Sequence, residues 1–133
     1  MADSGDPREE AGVYQFILDQ IDSVPHLEAL TLLWNSRPQQ WSAQDVAGRL
    51  YTSVEVAQNL LRDLARRELI GVISGPPDQF RYESRSAERD EIIGLVDATY
   101  RREIVRVSTM IHSKPSSAVR DFARAFRLKK DRE

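Results

Sequence analysis

The chain has no cysteine among its 133 residues, so neither a disulfide framework nor thiolate chemistry is open to it. It has only two histidines, His26 and His112, far apart and without a cysteine or second histidine nearby. Metal sites gather such ligands at close spacing, so neither a metal nor any other cofactor is expected. No apolar run approaches the ~20 residues that a membrane-spanning helix needs. No G-x-S-x-G, no Gly-rich phosphate loop and no paired His/Glu motif occurs. The N-terminal stretch MADSGDPREE is acidic and lacks an apolar signal core. These absences lead to an expectation of a non-enzyme working in a reducing cytoplasm, without membrane contact.

What is present suits a globular protein: 41% hydrophobic and 30% charged residues. The length fits one domain, or one domain with appended helices. The formal net charge of -2 conceals a gradient. Residues 1 to 40 hold 2 basic and 7 acidic side chains, residues 41 to 99 hold 7 and 10, and residues 100 to 133 hold 10 and 4. The chain thus runs from acidic to basic, which fits nucleic-acid contact or association between opposite ends. A solvated helix face is the plainer reading of surface Arg and Lys.

The densest signal lies from Trp41 to Ile70. Ser42 and Asp45 have the S-x-x-D spacing of a helix start, and Thr52 and Glu55 repeat it ten residues later. The spacing predicts a short helix over Ala43 to Leu50 and a second over Ser53 to Arg67, with Tyr51-Thr52 between them. Val46, Ala47 and Leu50 line one side of the first. Ala57, Leu60, Leu61 and Leu64 line one side of the second. Two capped helices this close fit a helix-turn-helix, although an antiparallel pair in a small bundle has the same periodicity. Ile70 to Ile73 is then β-rich, Ser74-Gly-Pro-Pro-Asp78 is a turn, and Gln79 to Tyr82 is β-rich again. A hairpin directly after the second helix is the order of a winged helix.

On these residues, Leu27 to Tyr82 resembles the winged helix-turn-helix domain of bacterial transcription regulators. The pattern A-x-x-L, a Ser opening the recognition helix, x-L-x-x-L and a closing L-I is met by Ala47, Leu50, Ser53, Leu61, Leu64, Leu69 and Ile70. One departure stands out: Glu68 takes the place before Leu-Ile where many such domains have Gly. The resemblance covers a little under half of the chain. It implies a mainly α fold with a small β-hairpin wing, and a second helix that enters a DNA groove.

The flanks read as helices. Asp6-Pro7-Arg8-Glu9 is a start signal, with Val13, Phe16, Ile17 and Ile21 forming a stripe that ends near Asp22. Ser23-Val-Pro25 breaks it. His26 to Asn35 is the next helix, and Trp41 fits a short strand paired with the wing. Ser84-Arg-Ser86 opens one long helix, about Ala87 to His112, with Ile92/Ile93, Val96, Tyr100, Ile104, Val107 and Ile111 along one side. At ~1.5 Å per residue it is nearly 40 Å long, more than a small winged domain covers. Ser113-Lys-Pro115 ends it, and a last helix carries Val119, Phe122, Ala123 and Phe126. The domain plan is therefore an acidic N-terminal helix over 1–24, a winged helix-turn-helix over 25–84, and C-terminal dimerisation helices with a basic tail over 85–133.

Two functions follow. In the first, a homodimer binds double-stranded DNA and regulates transcription. Its candidate DNA-binding residues are Ser53, Glu55, Gln58, Asn59, Arg62, Arg66 and Arg81. Asn and Gln suit adenine edges, Arg suits guanine or phosphate, and Ser53 suits phosphate. Arg120, Arg124, Arg127, Lys129 and Lys130 would add phosphate contacts. The dimer would form through Ile93, Tyr100, Ile104, Val107, Phe122 and Phe126. In the second, the helix-turn-helix is architecture only and the terminal helices bind another protein. Residues 41 to 83 hold 5 basic and 6 acidic side chains, which fits the second reading, while the hairpin, the Asn/Arg face and the basic end fit the first, which is the expectation here. On a solvated helix, Arg62 and Arg66 would pair with Gln58, Asp63 or Glu55.

Overall fold

Serine sets the start of four successive helices. In a computed structural model that describes residues 7–114, the hydroxyls of Ser23, Ser42, Ser53 and Ser86 accept from the backbone N–H three residues on, at 3.3, 3.1, 3.1 and 3.0 Å. Each bond satisfies a donor that the first helical turn leaves unpaired. The elements are α1 (Pro7–Gln20), α2 (Val24–Asn35), β1 (Trp41–Ser42), α3 (Ala43–Leu50), α4 (Val54–Arg66), β2 (Ile70–Ile73), β3 (Gln79–Tyr82), α5 (Ala87–Arg102) and α6 (Ile104–Ser113). The fold is a winged helix-turn-helix flanked by helices. The sheet has antiparallel strands in the order β1-β3-β2, with Trp41 opposite Phe80 and Ile70 opposite Tyr82.

The second cap of the helix-turn-helix is Ser53, where the S-x-x-D spacing pointed to Thr52. The Thr52 N–H is already committed to Ala47 O at 3.1 Å, closing the end of α3. Tyr51 takes the left-handed conformation there, with φ 57. The end of α4 is built alike. Leu69 N donates to Leu64 O at 3.0 Å, Glu68 N donates to Ala65 O at 2.9 Å, and Glu68 has φ 61. These are the paired bonds of a Schellman closure. Glu68 thus occupies the position that glycine usually holds, and the helix ends as it would with glycine.

A single core joins the helix-turn-helix to both flanks. Val13 and Ile17 of α1 and Ile21 just after it meet Leu27, Leu30 and Leu33 of α2, and with them Val46, Leu61, Leu64, Leu69, Phe80, Ile93, Val96 and Val107. α1 packs against both α5 and α6, so the N-terminal helix and the C-terminal helices form one layer. Lys114, just past α6, donates its ammonium to the Leu18 and Ile21 carbonyls at the end of α1.

The long C-terminal helix expected over Ala87 to His112 is instead two helices broken at Glu103. Glu103 leaves helical geometry at φ -131, ψ 55, while its N–H still closes on Thr99 O at 2.8 Å. Its carboxylate accepts from Tyr14 Oη at 2.8 Å and pairs with Arg106 at 3.3 Å. That hydrogen bond holds the carboxyl of Glu103 below its usual range, and Arg106 adds to the effect. Segments of 16 and 10 residues replace the ~40 Å rod. Ile93 and Val107, expected at a dimer surface, are fully covered by the chain's own helices and are not available to line one. Tyr100 is half-buried and Ile104 is exposed. Phe122, Phe126 and the basic tail lie outside the described residues.

Candidate nucleic-acid interface

The inward face of α4 settles what its outward face can do. Ala57, Leu60, Leu61 and Leu64 are buried against α2 and α3. At 3.6 residues per turn, the opposite side carries Glu55, Asn59, Arg62 and Arg66, all exposed. The structure therefore brings these four onto one ridge, with Gln58 half-buried beside it. Ser53 caps the helix at the base of that ridge, and its oxygen accepts from Val56 N.

The ridge is not uniform. Among the described residues, Glu55, Asn59 and Arg62 make no side-chain hydrogen bond or ion pair. Arg66 pairs with Asp63 at 2.6 Å. The other oxygen of Asp63 accepts from His26 Nε2 at 2.9 Å, and Ser23 Oγ lies 2.6 Å from His26 Nδ1. His26 thus ties the start of α2 to the last turns of α4. Arg67, the C-cap of α4, grips both oxygens of Asp22 at 3.1 Å. Burial alone would raise the carboxyl of Asp22, but the Arg67 guanidinium outweighs it and holds it below the ordinary carboxylate range. The tie from His26 to Asp63 spans 37 residues of sequence, and no local signal announces it.

The wing stands beside the start of α4. A cleft of about 370 Å³ separates them, lined by Val54 and Gln58 from α4, Ser42 before α3, and Gly75, Pro77 and Asp78 of the wing turn. The turn is closed by Gly75 N donating to Asp78 Oδ1 at 3.0 Å. Arg81 on β3 is pulled toward Glu83 at 3.4 Å, so it is only partly available to a ligand. At the base of the wing, burial and a hydrogen bond to Asp90 push the Tyr82 phenol up to about 12. Tyr82 meets Trp34 edge-on at 4.9 Å, and the Arg37 guanidinium lies 3.5 Å from the Trp34 ring centre.

Three exposed apolar side chains frame the helix start and were not among the residues singled out from the sequence: Tyr51, Val54 and Val56. Val56 falls off the face that Ala57 and Leu61 define, whereas Val54, three and seven residues before them, shares that face and is left exposed at the start of the helix. Among the described residues, no cluster of three His, Asp or Glu side chains is arranged to hold a metal. No described helix is long and apolar enough to cross a membrane.

No protein-family model matches the chain, and no curated protein matches its sequence. Solved structures do match its fold. MepR, a transcription regulator of the Staphylococcus aureus multidrug efflux pump MepA, superposes with a TM-score of 0.53 at 14% identity, over 92% of this chain and 87% of that one. The S. aureus MepR–DNA complex gives 0.52 at 14% identity, over 95% and 94%. A MarR family protein from Bacillus stearothermophilus gives 0.50 at 14%, over 94% and 84%. The chain has the winged-helix fold of these structures.

Proposed function

We propose that the chain is a DNA-binding transcription regulator that works as a homodimer, with α4 entering the major groove. The observation that carries this is the ridge of α4. Glu55, Asn59 and Arg62 stand exposed and unpaired on a helix whose other side is fixed in the core. Asn59 suits an adenine edge and Arg62 a guanine edge or a phosphate. Gln58 borders the wing cleft, Ser53 and Arg81 would add backbone contacts, and Arg66 would join them on leaving Asp63. The MepR–DNA complex is a precedent for this fold on DNA.

The dimer is proposed on the α5–α6 junction, where Ile104 and Val105 are exposed at 53% and 78% beside half-buried Tyr100. Two copies related by a two-fold axis would set their recognition helices about one DNA turn, ~34 Å, apart. A second reading keeps one specific support. The helix-turn-helix and wing are nearly neutral, and both Arg66 and Arg81 are engaged by carboxylates, which suits a protein-interaction module.

A titration against duplex DNA at several salt concentrations separates the two. DNA binding is expected to weaken with salt through counterion release. Asn59→Ala and Arg62→Ala should each cost ~1–3 kcal/mol of sequence discrimination. Light scattering at micromolar concentration should give twice the chain mass. A monomeric mass removes the dimer, and wild-type chain without salt-dependent duplex binding removes the DNA reading in favour of the interaction module.

A further inference from the structure

Val54 and Val56 lie in the first turn of α4 and leave 47% and 43% of their surface exposed. Neither valine belongs to the hydrophobic core or to the side chains packed against it. A β-branched residue is a poorer helix former than Ala or Leu, and nearly half of each valine is left in water. Each valine has an amide neighbour on its own side of the ridge. Val54 and Gln58 are one turn apart and line the same cleft beside the wing. Val56 and Asn59 are spaced i, i+3 on the other flank, and Asn59 is exposed. A carboxamide matches the N6 and N7 of adenine, and an apolar side chain matches the C5-methyl of thymine, the one apolar group in the major groove. The two chemistries belong to the same base pair.

Resting on the DNA reading above, we infer that Val54 and Val56 pack against thymine methyl groups, so that the preferred half-site is rich in A·T pairs at the positions reached by the first turn of α4. Gln58 and Asn59 read the accompanying adenines. The recognition helix is then specific through apolar contact at its start, where it carries no basic residue. This accounts for a reading head that is nearly neutral.

The test uses a duplex selected by the wild-type full chain from a random-sequence pool, then synthesised with thymine and again with deoxyuridine at every thymine. Uracil lacks only the C5-methyl. Wild-type chain should bind the uracil duplex about fourfold more weakly for each methyl group that a valine covers. A Val54→Ala, Val56→Ala variant should bind the thymine duplex correspondingly more weakly and should no longer distinguish the two. Both side chains are exposed, so the variant should melt like wild type. If wild type prefers the selected duplex to a scrambled one but ignores the exchange, the inference fails and the DNA reading stands. If the variant keeps the full sensitivity, the methyl acts through DNA shape or another residue and the inference also fails. If no duplex is enriched, the inference falls together with the reading it rests on.

Discussion

The two ends of α4 differ sharply. At its start, Val54, Glu55, Val56 and Asn59 are exposed, and among the described residues Glu55 and Asn59 make no side-chain hydrogen bond or ion pair. Toward its end, Asp63 is shared by His26 and Arg66, and Arg67 grips Asp22, so the helix is bound to α2 and to the α1–α2 joint. One helix therefore has a free end and an anchored end. The lesson is a division of labour: substitutions at the anchored end should act on stability, and substitutions at the free end on recognition.

The largest effect should come from beneath the anchored end. Leu64 is fully buried, and Leu64→Ala should lower unfolding free energy by ~2–5 kcal/mol in a denaturant titration. A loss below ~1 kcal/mol would mean that the anchored end is loosely packed, and the contrast would collapse. The next effect is that of the tie itself. His26→Ala leaves Asp63 with only Arg66 and should cost ~1–3 kcal/mol. The duplex affinity of the folded protein should stay as it was. Lost affinity at unchanged stability would move His26 into the reading surface. The smallest effect should be a pH dependence. The carboxyl of Asp22 is depressed on folding, so its contribution is present above the unfolded value near ~3.9 and is lost as the pH falls through the lower folded value. For a partly exposed pair that contribution is ~0.2–1 kcal/mol. Thermal melts of wild type and Asp22→Asn should differ at neutral pH and converge below about pH 4. Melts that stay parallel down to pH 2 would show that Arg67 does not hold the helix end through Asp22.

What the sequence made readable is what short-range hydrogen bonds and periodicity decide. The caps at Ser42 and Ser86 lie within four residues of their acceptor bonds, and the wing announces itself by β-rich runs around a Gly-Pro-Pro turn. The outward placing of Asn59 and Arg62 follows from the buried leucines about half a turn away. The break at Glu103 was not readable, because Tyr14, 89 residues earlier, supplies the hydroxyl that holds it. The apolar stripe through Ile93 and Val107 said that these side chains are buried without saying by what. The chain's own terminal helices cover them, where an uninterrupted rod would have needed a partner. Thr52 matched a capping pattern, but Ser53 takes the cap, its oxygen accepting from Val56 N.

Tyr51 and Glu68 close α3 and α4 in the left-handed conformation, which costs a residue with a side chain on the order of 1–3 kcal/mol. Neither side chain recovers much of that. Tyr51 is 95% exposed, and among the described residues Glu68 has one ion pair, with the exposed Arg85 at 3.4 Å. The α3–α4 joint and the α4–β2 joint thus run against local preference, in a motif whose two helices pack on α2 and share a core with its Leu27, Leu30 and Leu33. The motif is not a portable cassette. Cut out as residues 42–69 it loses the surface that bends it, and transplanted onto another scaffold it needs glycine at both joints to keep its angle.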